Sequence, residues 1–90
     1  MKHWYVYIIE LSDSSLYTGI TNDVQRRMRM HQNGKGSKYV RSRLPLTLVY
    51  LMQCDSRSSA SKVERRIKNM KKYQKVTLIN GSTNVLWNNK

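Results

Sequence analysis

Apolar positions along this chain alternate between short continuous runs and spaced rows. The first run, Trp4-Tyr5-Val6-Tyr7-Ile8-Ile9-Glu10-Leu11, is aromatic and β-branched almost throughout. It lacks strict alternation, so it predicts a strand over 4–11 that is buried on both faces. Ser12-Asp13-Ser14-Ser15 supplies turn chemistry, and Leu16-Tyr17-Thr18-Gly19-Ile20 reads as a returning strand, giving an antiparallel hairpin. A later run, Leu46 to Cys54, is apolar enough to be a central strand.

Between these runs the period changes. Val24, Arg27, Met28 and His31 recur at three- and four-residue steps, as one face of a helix from about Asp23 to Gln32 requires. Thr21, Asn22 and Asp23 are all N-cap types, Asn22 with Gln25 is a candidate capping box, and Asn33-Gly34 closes the helix. Ser37 to Arg43 reads as a short second helix stopped by Leu44-Pro45. After Asp55-Ser56-Arg57-Ser58-Ser59, the stripe Ala60, Val63, Ile67 and Met70 marks the main helix, whose opposite face is Lys and Arg. Another helical turn or two spans Tyr73 to Ile79. The tail from Ser82 to Lys90 is polar except for Val85, Leu86 and Trp87, which are expected to dock on the domain. The predicted order is β-β-α-α-β-α-(α): an α+β fold with a small three-stranded sheet flanked by helices. One domain across 1–90, with its core at about 4–80, accounts for the length.

Composition narrows the function. With 39% hydrophobic and 24% charged residues the chain is globular and not disordered. Seventeen Lys and Arg against five acids give a net charge of +12, an excess that repels itself and is matched by a polyanion. A membrane surface would call for an apolar-faced basic helix or a lipid anchor, and neither a myristoylation signal nor a prenylation box is present. Nucleic acid fits better. No run reaches transmembrane length and the start lacks a signal peptide, so the cytoplasm is the default compartment. The single cysteine, Cys54, rules out an internal disulfide and reads as a small core residue, with a reactive thiol as the weaker alternative.

Candidate chemistry begins with Tyr7 and Tyr17, one on each strand of the hairpin, although tyrosines in strands are ordinary sheet residues. Val24 and Met28 turn their helix face inward and carry Arg27 and His31 with them. A buried guanidinium needs an anion, and acids are scarce, which points to a bound phosphate. His31 has an alternative as a surface histidine favoured at a helix C-terminus. Glu64 lies at the edge of the buried stripe. It has structural alternatives, a capping box with Ser61 or an i,i+4 pair with Lys68. Yet a lone carboxylate in a basic segment weakens polyanion binding unless it holds a metal, and a hard cation such as Mg²⁺ accepts few protein ligands. No zinc spacing and no nucleotide-type phosphate loop is present.

Taken in order, these residues resemble the GIY-YIG nuclease superfamily. Tyr5-Val6-Tyr7 resembles the first tripeptide and Tyr17-Thr18-Gly19 the second. Arg27 follows at the family's spacing, His31 stands one turn further on, and Glu64 matches the metal-binding Glu. The stretches Leu16 to Asp23, Gly34 to Tyr39 and Ala60 to Lys68 are similar to the small stand-alone YhbQ-like branch. Two departures stand out. Tyr5 occupies the place of the first tripeptide's Gly, and Val76 falls near where larger members carry an Asn, so neither Asn80 nor Asn84 is assigned to the site.

The resemblance implies a metal-dependent nuclease acting on DNA more readily than RNA, with one Mg²⁺ or Mn²⁺ ion held by Glu64. Arg27 would contact the scissile phosphate, and Tyr7, assisted by Tyr17 or His31, would take a proton from the attacking water. Lys35, Lys38, Arg41 and Arg43 are expected to track the phosphate backbone. All five site residues should then converge on one surface. A non-catalytic nucleic-acid-binding module of the same fold is the alternative, and it has no need of a Glu at position 64.

Overall fold

The computed structural model describes residues 3–81, so the expected docking of Val85, Leu86 and Trp87 lies outside the described residues. Seven elements follow in the predicted order: β1 (Trp4–Glu10), β2 (Leu16–Thr21), α1 (Val24–Gln32), α2 (Lys38–Arg41), β3 (Thr47–Cys54), α3 (Arg57–Lys68) and α4 (Lys72–Gly81). The last helix extends through Gly81, one residue past the core boundary expected from sequence.

The sheet is antiparallel with the order β2-β1-β3. The missing alternation in β1 has a simple cause, because β1 is the central strand and helices cover both of its faces. Val6 and Ile8 enter one cluster with Tyr50, Cys54, Ala60 and Ile67, on the α3 side. Tyr7, Ile9 and Leu11 enter another with Val40 and Leu51, against which Val24 and Met28 of α1 pack. Ile8 and Ile9, both fully buried, each contribute about 1.5–3 kcal/mol by leaving water.

β3 departs from expectation, since it pairs only with β1 and is an edge strand. Its apolar run reflects cover above and below it and not a second paired neighbour. A bulge between Ile8/Ile9 pairings leaves Val49 unmatched, and Val49 and Tyr50 both contribute to the α3-side cluster.

Caps set the helix starts. Asp23, not Asn22, caps α1 and accepts from Arg26 N–H at 3.1 Å. Thr21 Oγ1 takes the Asp23 N–H at 3.0 Å, which turns the chain so that the Asp23 carboxylate faces the helix. Ser37 caps α2 and Ser56 caps α3, so neither the Asn22–Gln25 nor the Ser61–Glu64 box sets a helix start. The hairpin tip is tied down from outside, with Ser12 N–H donating to the Arg43 carbonyl at 2.9 Å.

Candidate active site

The hairpin register builds the floor of the site. It sets Tyr7 opposite Gly19, so the phenol ring lies over a position that has no side chain. A Cβ added at Gly19 would fall 2.6 Å from Tyr7 Cζ, closer than carbon atoms pack. Gly19 does not have a positive φ, so the glycine is required here for space and not for backbone freedom. Tyr7 is 1% exposed.

α1 crosses the same face and delivers Arg27 and His31 to the Tyr7 oxygen. Tyr7 Oη lies 2.9 Å from His31 Nε2, and Arg27 Nε–H donates to Tyr7 Oη at 3.4 Å. His31 is fully buried, which excludes its reading as a surface residue. Its ring stands edge-on between Tyr7 (centroids 5.9 Å apart, 66°) and Tyr17 (5.7 Å, 75°). Nδ1 has no hydrogen-bond partner. Gly36 passes directly over it, since a Cβ there would come within 2.5 Å of Nδ1.

The electrostatics follow from this packing. Burial, and then the positive charge of Arg27, holds the His31 imidazole down to about 4, so it is neutral at physiological pH. Burial pushes the Tyr7 phenol above its ordinary value. The Arg27 hydrogen bond and charge pull it back, and the charges of Tyr17 and Glu64 add to the rise.

A second layer supports Tyr17. Tyr39 stacks on it (6.2 Å, 21°), and the Arg43 guanidinium lies 3.8 Å from the centre of the Tyr39 ring. Arg43 is then fixed by Asp13 Oδ2 at 3.0 Å, the Tyr39 carbonyl at 3.1 Å and Ser42 Oγ at 3.0 Å. Hydrogen bonds from Ser15, and then from Arg43, hold the Asp13 carboxyl below its ordinary range. Of the four cations expected to track phosphates, Arg43 is therefore matched by an acid and acts as a brace, while Lys35, Lys38 and Arg41 are exposed. Tyr39 was not singled out from the sequence. Its aromatic character was visible, but its partners lie 22 residues before it and four after it.

Glu64 arrives from the other side of the sheet. α3 buries Ala60 and Ile67 against the face opposite α1, and Glu64 occupies the flank of that stripe with its side chain 22% exposed. Lys68 Nζ sits 3.1 Å from Glu64 Oε2, so the i,i+4 pair is formed. No hydrogen bond joins Glu64 to the other four residues, but its charge reaches Tyr7 as the smallest of the causes acting on the phenol. Tyr7, Tyr17, Arg27 and His31 thus meet by contact, whereas Glu64 touches none of them and its charge is felt at Tyr7 alone, so the expected convergence of five side chains is seen for four.

Among the described residues no three His, Cys, Asp or Glu side chains converge as a metal cage. One partly exposed carboxylate that already attracts a cation fits a hard divalent ion completing its shell with water and phosphate. Two surface hollows, of about 170 and 440 Å³, lie elsewhere, one between the hairpin and α4, the other beside Tyr5 and the start of α1. Neither hollow is lined by Tyr7, Tyr17, Arg27, His31 or Glu64. Cys54 is buried with its thiol pushed up by burial, which makes it a core residue and a poor nucleophile. No helix among the described residues is long and apolar enough to cross a membrane.

Residues 3–77 match the model of the GIY-YIG catalytic domain. The UPF0213 protein YhbQ of Salmonella arizonae is 49% identical over 79 residues, 88% of this chain and 79% of its own length. A UPF0213 protein of Cronobacter sakazakii is 48% identical over 81 residues, 90% of this chain and 85% of its own. The solution NMR structure of a UPF0213 protein from Bacillus halodurans superposes with a TM-score of 0.57 at 42% identity, covering 89% of this chain and 84% of that one. A second NMR structure, from E. faecalis, gives 0.61 at 28% identity over 94% of both chains. By fold, by the Tyr7–Gly19 hairpin and by these likenesses, the chain belongs to the GIY-YIG nuclease family.

Proposed function

We propose that this chain is a divalent-metal-dependent nuclease that hydrolyses phosphodiester bonds in nucleic acid, with DNA preferred to RNA. One observation carries the proposal: a buried phenol whose oxygen is shared by a guanidinium at 3.4 Å and a neutral imidazole at 2.9 Å. Simple binding of a polyanion is served by exposed cations and needs no such triad. The basic surface matches either polymer, and the choice of DNA follows the family resemblance.

The residues divide the work as follows. With the imidazole proton on Nδ1, Tyr7 O–H donates to His31 Nε2 while its oxygen accepts from Arg27, leaving one lone pair for an incoming water. A phenol is a poor base at its reference value of about 10, so it acts here as a relay, taking the water proton and passing its own to His31. Burial keeps His31 unprotonated at physiological pH, so Nε2 offers the phenol a lone pair, and the negative charge of a bound phosphate would support the imidazolium that burial alone disfavours. Tyr17 and Tyr39 hold the imidazole in place. The remaining N–H groups of Arg27 offset charge that builds on the phosphate oxygens. Glu64 would hold the ion, Mg²⁺ or Mn²⁺, which when bound supplies positive charge against the scissile phosphate and the departing 3′-oxygen.

The test is a cleavage assay with Mg²⁺ or Mn²⁺ on single-stranded DNA, duplex DNA and RNA, run beside Glu64→Gln. The parent should cut, and the variant should fall to background while binding as tightly or slightly more tightly, because a negative charge near the phosphate is gone. Equal cleavage by both proteins would leave Glu64 as the helix partner of Lys68 and remove it from the site.

A further inference from the structure

Eight of the seventeen Lys and Arg residues lie between positions 57 and 75, a stretch whose one acid is Glu64. The nuclease mechanism uses none of these eight. Their placement in α3 is mixed: Arg65, Arg66 and Lys68 sit in the last turn, which the helix dipole favours, whereas the like-charge spacings and the helix start do not favour them. In α3, Lys62 repels Arg65 and Arg66 at i+3 and i+4, and Arg65 repels Lys68 at i+3, arrangements that weaken a helix. Arg57 opens the helix, where the dipole favours anions, and the first turn holds no acid. Ion pairs do not relieve this. Among the described residues the salt bridges are Arg43–Asp13 and Lys68–Glu64, which leaves Lys62, Arg65 and Arg66 exposed and unmatched.

Position gives these cations a use. α3 buries Ala60 and Ile67 toward the sheet and turns Ser58, Lys62, Arg65 and Arg66 outward. No apolar side chain interrupts that outward face, so it has nothing to insert into a membrane and suits a hydrated polyanion. The exposed Lys35, Lys38 and Arg41 lie on the α1 and α2 side of the sheet, the opposite face. β2 is an edge strand, with Tyr17 and Gly19 on it, and it lies between these two basic surfaces.

We infer that the outward face of α3, centred on Lys62, Arg65 and Arg66, is a second contact surface for backbone phosphates of the same nucleic acid. The substrate straddles the β2 edge, with the 35–41 segment gripping it on one side and α3 on the other. The domain is about 30 Å across. At the duplex rise of about 3.4 Å per phosphate along one strand, a duplex needs roughly nine base pairs or more to reach both surfaces. The identity of the polymer rests on the nuclease reading, while the path it takes rests on the charge and position of α3.

The experiment replaces the three cations together, Lys62→Gln, Arg65→Gln and Arg66→Gln, since Gln keeps a helix propensity close to theirs. Circular dichroism and thermal melting establish that the fold is intact. Binding of a labelled 20-nucleotide strand and of a 20-base-pair duplex is then followed by fluorescence anisotropy across a salt series, beside Lys38→Gln with Arg41→Gln. The α3 variant should make the log–log salt slope shallower by about 0.7 per lost contact on the single strand and about 0.9 on the duplex. The loop variant should lower it separately, and the two losses should add. Binding of the parent should strengthen between duplexes of about six and about fourteen base pairs (about nine being the crossing length), and the α3 variant should lose that gain. If the loop variant loses slope while the α3 variant matches the parent, the second surface is refuted and the nuclease reading stands. If the parent binds neither polymer, or if α3 is needed only for capture by anionic lipid vesicles, the inference fails along with the nucleic-acid assignment.

Discussion

His31 should make the folded domain sensitive to mild acid, and the size of the effect follows from its burial. In the unfolded chain its imidazole takes up a proton near the ordinary value of 6.5, whereas in the folded domain it does so only at about 4. Between those values the unfolded state binds more protons. Stability is therefore complete above 6.5 and declines as the pH falls toward 4. The full separation corresponds to about 3 kcal/mol, of which about 2 kcal/mol is already lost at a pH of about 5. In a domain of this size that lowers the melting temperature by roughly 10 °C, a large part of a small domain's margin. Asp13 does not confuse the measurement. Its carboxyl is held below 3.8, so what it contributes is present above that value and is lost only in stronger acid. The assay is thermal or urea unfolding from pH 7.5 down to 4.5 for the parent and for His31→Gln, with the imidazole Cε1–H followed by NMR. The parent should lose stability through this window and the Gln variant should lose distinctly less. A folded-state His31 that titrates near 6.5, or two proteins that weaken in parallel, would refute the reasoning.

Two further substitutions test the packing around the phenol. Gly19→Ala should force Tyr7 off its seat, destabilise the domain by about 1–3 kcal/mol and abolish cleavage, as read by unfolding midpoint and rate. Parent-like values for both would show that the close approach is not required. Tyr39→Phe should retain stability and the saturating cleavage rate, whereas Tyr39→Ala, which removes the stack on Tyr17 and the seat for Arg43, should cost about 1–2 kcal/mol and lower that rate. Indistinguishable Phe and Ala variants would mean that the brace does not govern the site.

Much of this molecule was legible in its residues, and the parts that were not have identifiable causes. The order of elements could be read because the apolar period changes cleanly between β1, α1 and α3. The inward aim of Arg27 and His31 could be read because Val24 and Met28 share their helical face. The edge position of β3 could not, because an apolar run reports cover above and below a strand and says nothing of its hydrogen-bonded neighbours. The cap of α1 was ambiguous for a similar reason. Asn22 and Asp23 are both capping types, and the choice was made by the Thr21 hydroxyl, whose bond to Asp23 depends on the backbone path. The periodicity of α3 put Glu64 at the edge of a stripe but could not say against which face of the sheet that stripe would pack. The pairing of Arg43 with Asp13 is invisible to any local pattern, because the two lie 30 residues apart.

The pairing of Tyr7 with Gly19 also changes how the two signature tripeptides should be understood. They look like two local motifs, yet they describe one cross-strand contact: a ring on one strand and the vacancy that receives it on the next. What evolution or a designer must conserve is therefore a partnership and not a distance along the chain. Residues added at the tip between Leu11 and Leu16 leave the partnership intact. A single residue inserted within either strand slides Thr18 or Ile20 beneath the phenol and turns the following side chains to the opposite face of the sheet. The hairpin tip is thus where length can change without moving the ring off its seat, at the expense of the contacts that Ser12 and Asp13 make to Arg43.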